Sequence, residues 1–256
     1  MCRLLGIFGQ PDNWHDLVMG FQELAESGMR LGQRGHVDGW GMAKSSPDRS
    51  GMVPVERQLG SAYQSPIYES AARDLAEKPP KVFLGHLRLA SPGIGCTLPN
   101  THPFFCNANG TSWAFIHNGT VYDPLSLERN PSFALNSDDS DTEIFFHHIL
   151  SKLNWMENIP PETLFRQMIT IYKSMLVPFS ALNTILSNGS ELYVVRWASQ
   201  DTSYYTLYYA QLSAAVVVCS EPIITHRLPL SSWKLLPNSS FTLISGIRPY
   251  IHTVVE

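Results

Sequence analysis

The segment MCRLLGIFG (1–9) places a cysteine directly in front of a short apolar run. Apart from Arg3 the run is uncharged, and Gly9 and Pro11 bound it. An apolar run of this length between turn residues predicts a buried β-strand. The strand would hold the Cys2 thiol at its end, either as a small buried apolar group or as a reactive one.

The bulk composition indicates a globular protein. The chain has 256 residues, of which 44% are hydrophobic and 16% charged, and its net charge is -4. Lys and Arg are scattered, which argues against nucleic acid or an anionic membrane as the main partner. No apolar segment approaches the roughly 18 residues of a membrane span, and a signal peptide is not evident. We therefore expect a cytoplasmic protein with four free thiols.

Four segments carry helical patterns, at 15–31, 65–78, 141–153 and 161–176. Ser65 followed by proline is a typical helix start. Ser140 and Glu143 have the spacing of a capping box, in which each side chain bonds a backbone N–H of the other residue.

Strand patterns occur at 81–90 and 111–120, and four more follow residue 180, which we interpret as an antiparallel meander. In the strand at 81–90, His86 and Arg88 would share one face because side chains alternate. Strands and helices do not alternate along the chain. This favours an α+β domain built from antiparallel sheets over a doubly wound parallel sheet.

Cys2 would carry both a thiol and a free α-amine once Met1 is removed. The two groups have reference pKa values of about 8.5 and 8, so a neutral amine can take the thiol proton directly or through a water. One residue would then supply nucleophile and base. The alternative is a small buried residue at the start of an edge strand.

Three further features each allow a catalytic and a structural interpretation. Arg88 is a lone cation in an apolar strand and could bind a carboxylate with two hydrogen bonds or form an internal salt bridge. Asn118 and Gly119 could form an oxyanion hole or an ordinary hairpin turn. Asp141 begins a predicted helix and could bind an ammonium group or only cap the helix. Together, these features are what hydrolysis of a γ-glutamyl amide requires.

Five motifs resemble the class II glutamine amidotransferases in order and rough spacing: MCRLLGIFG, GHLRLAS, NTHPF, HNG and SDTE. The segment RGHVDGWG (34–41) with the initial MC resembles more narrowly the stand-alone, YafJ-like group of that family. The resemblance implies the N-terminal-nucleophile (Ntn) hydrolase fold, a four-layer αββα sandwich of two antiparallel sheets flanked by helices. It also implies one amidotransferase domain over residues 1–256, without an appended synthase domain.

The resemblance assigns roles to individual positions. Cys2 matches the nucleophile, Asn118 and Gly119 match the oxyanion hole, and Asp141 matches the acid that binds the substrate α-amino group. The substrate α-carboxylate would be bound by two positions, Arg88 and Ser91.

Supporting roles fall to four other positions. Arg34 and Gly35 match a turn behind the nucleophile, and His102 and His117 match histidines near the site. Leu89 stands where better-known relatives have a tryptophan.

The expected activity is attack of Cys2 on the γ-glutamyl amide of glutamine or a related compound, giving a glutamyl-thioester and then glutamate. Ammonia or an amine would be released, or ammonia would pass to an acceptor enzyme on a separate chain. One alternative is a hydrolase of γ-glutamyl peptides or amines that does not use glutamine. Another is a non-catalytic binding protein that retains the fold.

A metal-dependent hydrolase is a further alternative, which the sequence disfavours. His147 and His148 are adjacent on a predicted helix and so point about 100° apart. Cys96, His102 and Cys106 have no recognised metal-ligand spacing. We expect neither a metal nor a cofactor.

Overall fold

The computed structural model describes residues 2–27, 34–90, 95–137 and 140–254. Within them the strands form two antiparallel sheets. The first sheet has the spatial order β11 (Lys234–Leu235), β9 (Tyr208–Gln211), β10 (Ala215–Cys219), β1 (Arg3–Gly9), β4 (Val82–Arg88), β2 (Gly39–Ser45) and β3 (Met52–Gln58). The second has the order β13 (Tyr250–Thr253), β12 (Ser240–Ile244), β8 (Leu192–Arg196), β7 (Asn183–Ser187), β6 (Thr111–Asn118) and β5 (Phe104–Ala108).

Helices cover the outer face of each sheet. They are α1 (Trp14–Glu23), α2 (Pro66–Glu77), α3 (Asp141–Lys152) and α4 (Pro161–Lys173), with short 3₁₀ turns at Pro124–Ser126 and Leu230–Ser232. One apolar cluster joins α1 and α2 to the first sheet, a second fills the space between the sheets, and a third joins α3 and α4 to the second sheet. This confirms the predicted α+β, four-layer αββα sandwich. No helix in the described ranges is long and apolar enough to cross a membrane.

Strand β1 lies in the middle of the first sheet, between β4 and β10. Leu5 and Ile7 face α1 and α2, while Leu4 and Phe8 face the second sheet. Both faces are covered, which explains why the strand reads as a continuous apolar run. The buried strand predicted at the chain start is therefore confirmed, and Cys2 directly precedes it.

The first helix is shorter than the predicted 15–31. It ends at Glu23, and the next three N–H groups bond carbonyls three residues back, which tightens the chain into turns. Residues 28–33 lie outside the described residues. The predicted start of α2 is confirmed, because the Ser65 side chain accepts a hydrogen bond from the Tyr68 N–H.

Two local predictions were wrong. Ser140 makes no side-chain capping bond, and the Glu143 carboxylate instead accepts N–H groups of Asn136 and Ser137 in the loop before α3. The predicted meander is divided between the sheets, with β7 and β8 in the second sheet and β9 and β10 in the first. Strand β10 is apolar on both faces and takes the doubly covered place beside β1.

Candidate active site

The Cys2 thiol lies against the chain that continues from β4. The Leu89 N–H donates to Sγ over 3.4 Å, and Sγ donates to the Leu89 carbonyl over 3.5 Å. Burial raises the pKa of the Cys2 thiol, although the Leu89 N–H and the positive charges of Arg88 and Arg3 oppose this. At neutral pH the group is therefore a thiol, and a nucleophilic attack needs a proton acceptor.

Arg88 ends β4 and its side chain is buried, with 3% exposure. Its Nη2 donates to the Gly95 carbonyl over 2.9 Å, whereas Nη1 is buried without a partner among the described residues. The internal salt bridge that was one interpretation of Arg88 is not formed within those residues. A buried cation with an unpaired donor is costly unless an anionic group completes it.

Residues 34–38 support the same end of β4. The Arg34 guanidinium donates to Asp38 Oδ2 over 2.6 Å, and the same oxygen accepts the Ala90 N–H over 2.8 Å. Gly35 packs so closely that a Cβ would lie 2.4 Å from the Ala25 carbonyl oxygen. Asp38, which the sequence reasoning missed, thus links the RGHVDGWG motif to the residue after Leu89.

Asn118 and Gly119 lie at the end of β6 in the second sheet. The Asn118 side chain is buried, and its Nδ2 has no partner among the described residues. Gly119 has a φ of +154°, and a Cβ there would lie 1.9 Å from the Ala181 carbonyl oxygen, so only glycine fits. The interpretation of Asn118–Gly119 as an ordinary hairpin turn is wrong, because β6 pairs with β5 and β7 and the β5–β6 turn is at Asn109–Gly110.

The His117 ring fixes the backbone just before these two residues. Nε2 lies 3.0 Å from the Ala181 carbonyl oxygen and Nδ1 lies 3.0 Å from Thr142 Oγ1. A carbonyl can only accept, so Nε2 carries the proton and Nδ1 accepts from the Thr142 hydroxyl. Burial lowers the pKa of His117, with Asp141 opposing. The ring is therefore neutral and links β6 to the start of α3.

Asp141 is the first residue of α3 and lies beside the chain that leaves the Asn118–Gly119 segment. Its Oδ2 accepts the Val121 N–H over 2.7 Å, and Oδ1 lies 3.5 Å from Thr142 Oγ1. The carboxylate thus has one strongly engaged oxygen and one with a weak contact. This arrangement is compatible with both interpretations of Asp141, helix stabilisation and binding of an ammonium group.

The rings of His86 on β4 and His102 stack on each other, a contact that the sequence spacing does not predict. His86 and His102 have ring centroids 4.0 Å apart at an interplanar angle of 17°. Burial lowers the pKa of His86 to about 3 and places that of His102 well below its usual range, so both rings are neutral. Strand alternation predicts which face of β4 His86 occupies. It does not predict a contact with His102, which lies 16 positions away in the sequence.

The His86 ring Nε2 lies 3.2 Å from the His117 carbonyl oxygen, so the end of β4, beside Cys2 and Arg88, lies next to the end of β6 with Asn118 and Gly119. Ser91 lies outside the described residues, and its role stays a prediction. His148 bonds the Glu128 carbonyl through Nδ1 over 2.6 Å. No group of three or more potential metal ligands occurs in the described ranges.

A cysteine directly before the central strand of an αββα sandwich is the arrangement expected of an N-terminal-nucleophile hydrolase fold. The sequence model of the class II glutamine amidotransferases matches residues 1–211. The chain therefore belongs to the class II glutamine amidotransferase family.

Among curated proteins, the chain is similar to YafJ of Escherichia coli K12, a candidate glutamine amidotransferase, with 28% identity over 214 residues that cover 80% of this chain and 76% of YafJ. It is also 27% identical over 197 residues to an uncharacterized protein of Methanocaldococcus jannaschii, covering 77% of this chain and 51% of that protein.

Two solved structures share the fold. The glutamine phosphoribosylpyrophosphate amidotransferase of Bacillus subtilis has a TM-score of 0.68 at 17% identity, covering 98% of this chain and 49% of that chain. A predicted glutamine amidotransferase of Pseudomonas aeruginosa has a TM-score of 0.61 at 20% identity, covering 97% and 99%. The chain thus spans about half the length of the archaeal relative and of the Bacillus enzyme.

Proposed function

We propose that the protein is a cysteine-dependent amidohydrolase that acts on the γ-glutamyl amide of glutamine or a related compound. The observation that carries the proposal is a pair of buried donors without partners among the described residues, Arg88 Nη1 and Asn118 Nδ2. Arg88 Nη1 suits a carboxylate, and Asn118 Nδ2 suits an oxyanion that develops during the reaction. In the proposed complex, Arg88 would bind the α-carboxylate end of a γ-glutamyl group and Asn118 would bind the carbonyl oxygen at the carbon that Cys2 attacks.

The reaction begins when removal of Met1 frees the α-amine of Cys2. This amine takes the thiol proton as Sγ attacks the amide carbonyl, and the oxyanion accepts hydrogen bonds from Asn118 Nδ2 and the Gly119 N–H. The ammonium that forms returns the proton to the leaving nitrogen, which departs as ammonia or an amine. A water then hydrolyses the glutamyl-thioester to glutamate and restores the thiol.

Substrate selection follows from charges at the two ends of the glutamyl group. Arg88 pairs with the α-carboxylate, with Ser91 beside it, and Asp141 pairs with the α-ammonium. Arg34 and Gly35 act indirectly, because they set Asp38 against the chain after Leu89. His102 acts through the stacking of its ring on His86, and His117 acts through hydrogen bonds to Ala181 and Thr142.

We take residues 1–256 as one amidotransferase domain. Two variants of the activity follow: the ammonia is released, or it is passed to an acceptor enzyme on another chain. A purified sample that turns over glutamine without an acceptor supports release. A rate that rises only with an added acceptor supports transfer.

The test is a substrate screen combined with intact-mass measurement. Glutamine, a γ-glutamyl peptide and a γ-glutamyl amine are each incubated with the protein, and glutamate release is followed. We expect loss of one methionine from the chain and glutamate from at least one substrate. Binding of glutamine without glutamate release, by a folded chain that lacks Met1, would favour the non-catalytic binding protein instead.

A further inference from the structure

The candidate site is divided between the two sheets. Cys2 and Arg88 belong to the first sheet, whereas Asn118 and Gly119 end β6 of the second. Backbone hydrogen-bond ladders run within a sheet and fix only its own strands. The separation between the thiol and the proposed oxyanion donors therefore depends on how the sheets are held against each other.

Most of the layer between the sheets is apolar. It contains, among others, Leu4 and Leu84 from the first sheet and Ala114 and Ile116 from the second. Apolar burial favours packing of the two sheets strongly, but it has no directional preference. It therefore fixes their relative position only approximately. A hydrogen bond across the layer would add that directional constraint.

His86 supplies such a bond. It is fully buried on β4, two residues before Arg88, and its Nε2 lies 3.2 Å from the carbonyl oxygen of His117, the residue before Asn118. Because a carbonyl only accepts, Nε2 carries the proton. His86 Nδ1 is buried without a partner among the described residues, so the ring makes this one hydrogen bond there.

The ring of His102 supports His86 from one side. It stacks on His86 and meets Phe104 edge-on at 4.7 Å between ring centroids. The stack restricts the orientation of the His86 imidazole and so the direction of its N–H. His117 is in turn fixed by Ala181 and Thr142, which leaves little freedom at the acceptor.

We infer that His86 is a positioning residue, which sets the Asn118 and Gly119 oxyanion donors relative to the Cys2 thiol through its hydrogen bond to the His117 carbonyl. The inference rests on the proposed function, because it assigns His86 a part in that reaction. This role differs from a purely structural one because the hydrogen bond positions only the oxyanion donors. Arg88 and Asp141 stay free to bind substrate.

The test compares two amide variants, His86→Gln and His86→Asn. The glutamine Nε2 can occupy the place of the histidine Nε2 and donate to His117, whereas the shorter asparagine amide cannot reach it. We expect His86→Asn to lower kcat for glutamine hydrolysis by about a hundredfold, as for a displacement of about 1 Å. His86→Gln should stay within about tenfold of wild type, and KM should change little in both.

The amide signal of Gly119 in a ¹⁵N-labelled sample gives a second readout that does not require turnover. It should shift in His86→Asn and stay near its wild-type position in His86→Gln. If the wild type releases no glutamate, the proposed function fails, but this signal still tests the positioning. Equal kcat values for the two variants, or an unshifted Gly119 signal in His86→Asn, would overturn the inference.

The wild-type protein provides a test that does not depend on folding of a variant. The ring nitrogens of His86 should report the neutral tautomer with the proton on Nε2 throughout the range from about pH 5 to 8. A proton on Nδ1, or protonation of the ring in that range, contradicts the proposed hydrogen bond.

Discussion

The backbone of Leu89 contacts the Cys2 thiol through both of its polar groups: the N–H donates to Sγ over 3.4 Å and the carbonyl accepts from it over 3.5 Å. The carbonyl contact requires a protonated thiol, whereas the N–H contact also stabilises a thiolate. Burial raises the pKa of the thiol, so the resting state makes both bonds. A proton acceptor is therefore needed when the sulfur attacks.

Replacing the nucleophile tests its role directly. Cys2→Ala should reduce glutamate release by more than about a hundredfold, because no thioester can form. Mass spectrometry of the wild type quenched during turnover should show the glutamyl adduct on the peptide that begins at Cys2. Cys106→Ser on β5 is the matched control, and we expect wild-type turnover from it. A loss below about tenfold in Cys2→Ala, ~1.4 kcal/mol, would exclude Cys2 as the nucleophile.

Loss of the Asn118 amide should affect the chemical step. Asn118→Ala removes a buried donor that has no partner among the described residues, and we expect kcat to fall by about 10²–10³-fold with little change in KM. Asn107→Ala, an exposed position on the neighbouring strand β5, is the control. Steady-state kinetics with glutamine measure both parameters. A rise in KM at constant kcat would assign Asn118 to ground-state binding.

Arg88 should determine affinity for the α-carboxylate. Arg88→Lys keeps the charge but loses the paired donors, so we expect KM for glutamine to rise by about tenfold to a hundredfold. The exposed Arg73→Lys variant on α2 should leave KM unchanged. With a matched substrate whose α-carboxylate is replaced by an amide, the KM values of wild type and Arg88→Lys should differ much less than with glutamine. If both proteins prefer glutamine over the α-amide substrate by the same factor, Arg88 does not bind the α-carboxylate.

The buried histidines should make stability depend on pH. Burial lowers the pKa of His86 to about 3, and also that of His102 and His117, relative to 6.5. Below pH 6.5 the unfolded chain binds protons that the folded chain does not, so unfolding becomes easier as pH falls through the window from about 6.5 towards 3. His86 contributes on the order of 1 kcal/mol per pH unit in this window, and the lowered pKa values of His102 and His117 act in the same direction.

Urea unfolding between pH 7 and 5 measures this effect, since most carboxylates stay ionised in that range. His102→Phe keeps a ring against His86 and Phe104 and should flatten the pH dependence without loss of stability at pH 7. His15→Gln, at an exposed position on α1, is the control. A pH dependence that is unchanged in His102→Phe would show that this histidine titrates normally in the folded protein.

Local pattern was enough to predict the elements that carry the site. The apolar run of β1 gave a buried strand, although not its central place in the sheet, and alternation in β4 gave one shared face for His86 and Arg88. The start of α2 followed from Ser65 and the proline after it. These predictions succeeded because they depend on side-chain period and turn chemistry, which are encoded in neighbouring residues.

Relations that depend on distant residues were not predictable in the same way. The stack of His86 on His102 needs knowledge of how the loop at 95–103 returns to the first sheet. Glu143 was assigned to helix capping because the fold of the preceding loop, which delivers the Asn136 and Ser137 N–H groups, is not visible in the spacing. The later strands are likewise divided between two sheets because β10, which is apolar on both faces, pairs with the distant strand β1 as well as with β9.

Because the thiol and the oxyanion donors lie on separate sheets, a bound substrate would affect how tightly the two sheets hold together. A γ-glutamyl compound bound between Arg88, Asn118 and Asp141 would contact both layers at once and act as a reversible cross-link between them. Its binding free energy then opposes separation of the sheets and adds to the free energy of unfolding. Occupancy of the site by a slowly reacting γ-glutamyl analogue would therefore make the sandwich harder to open.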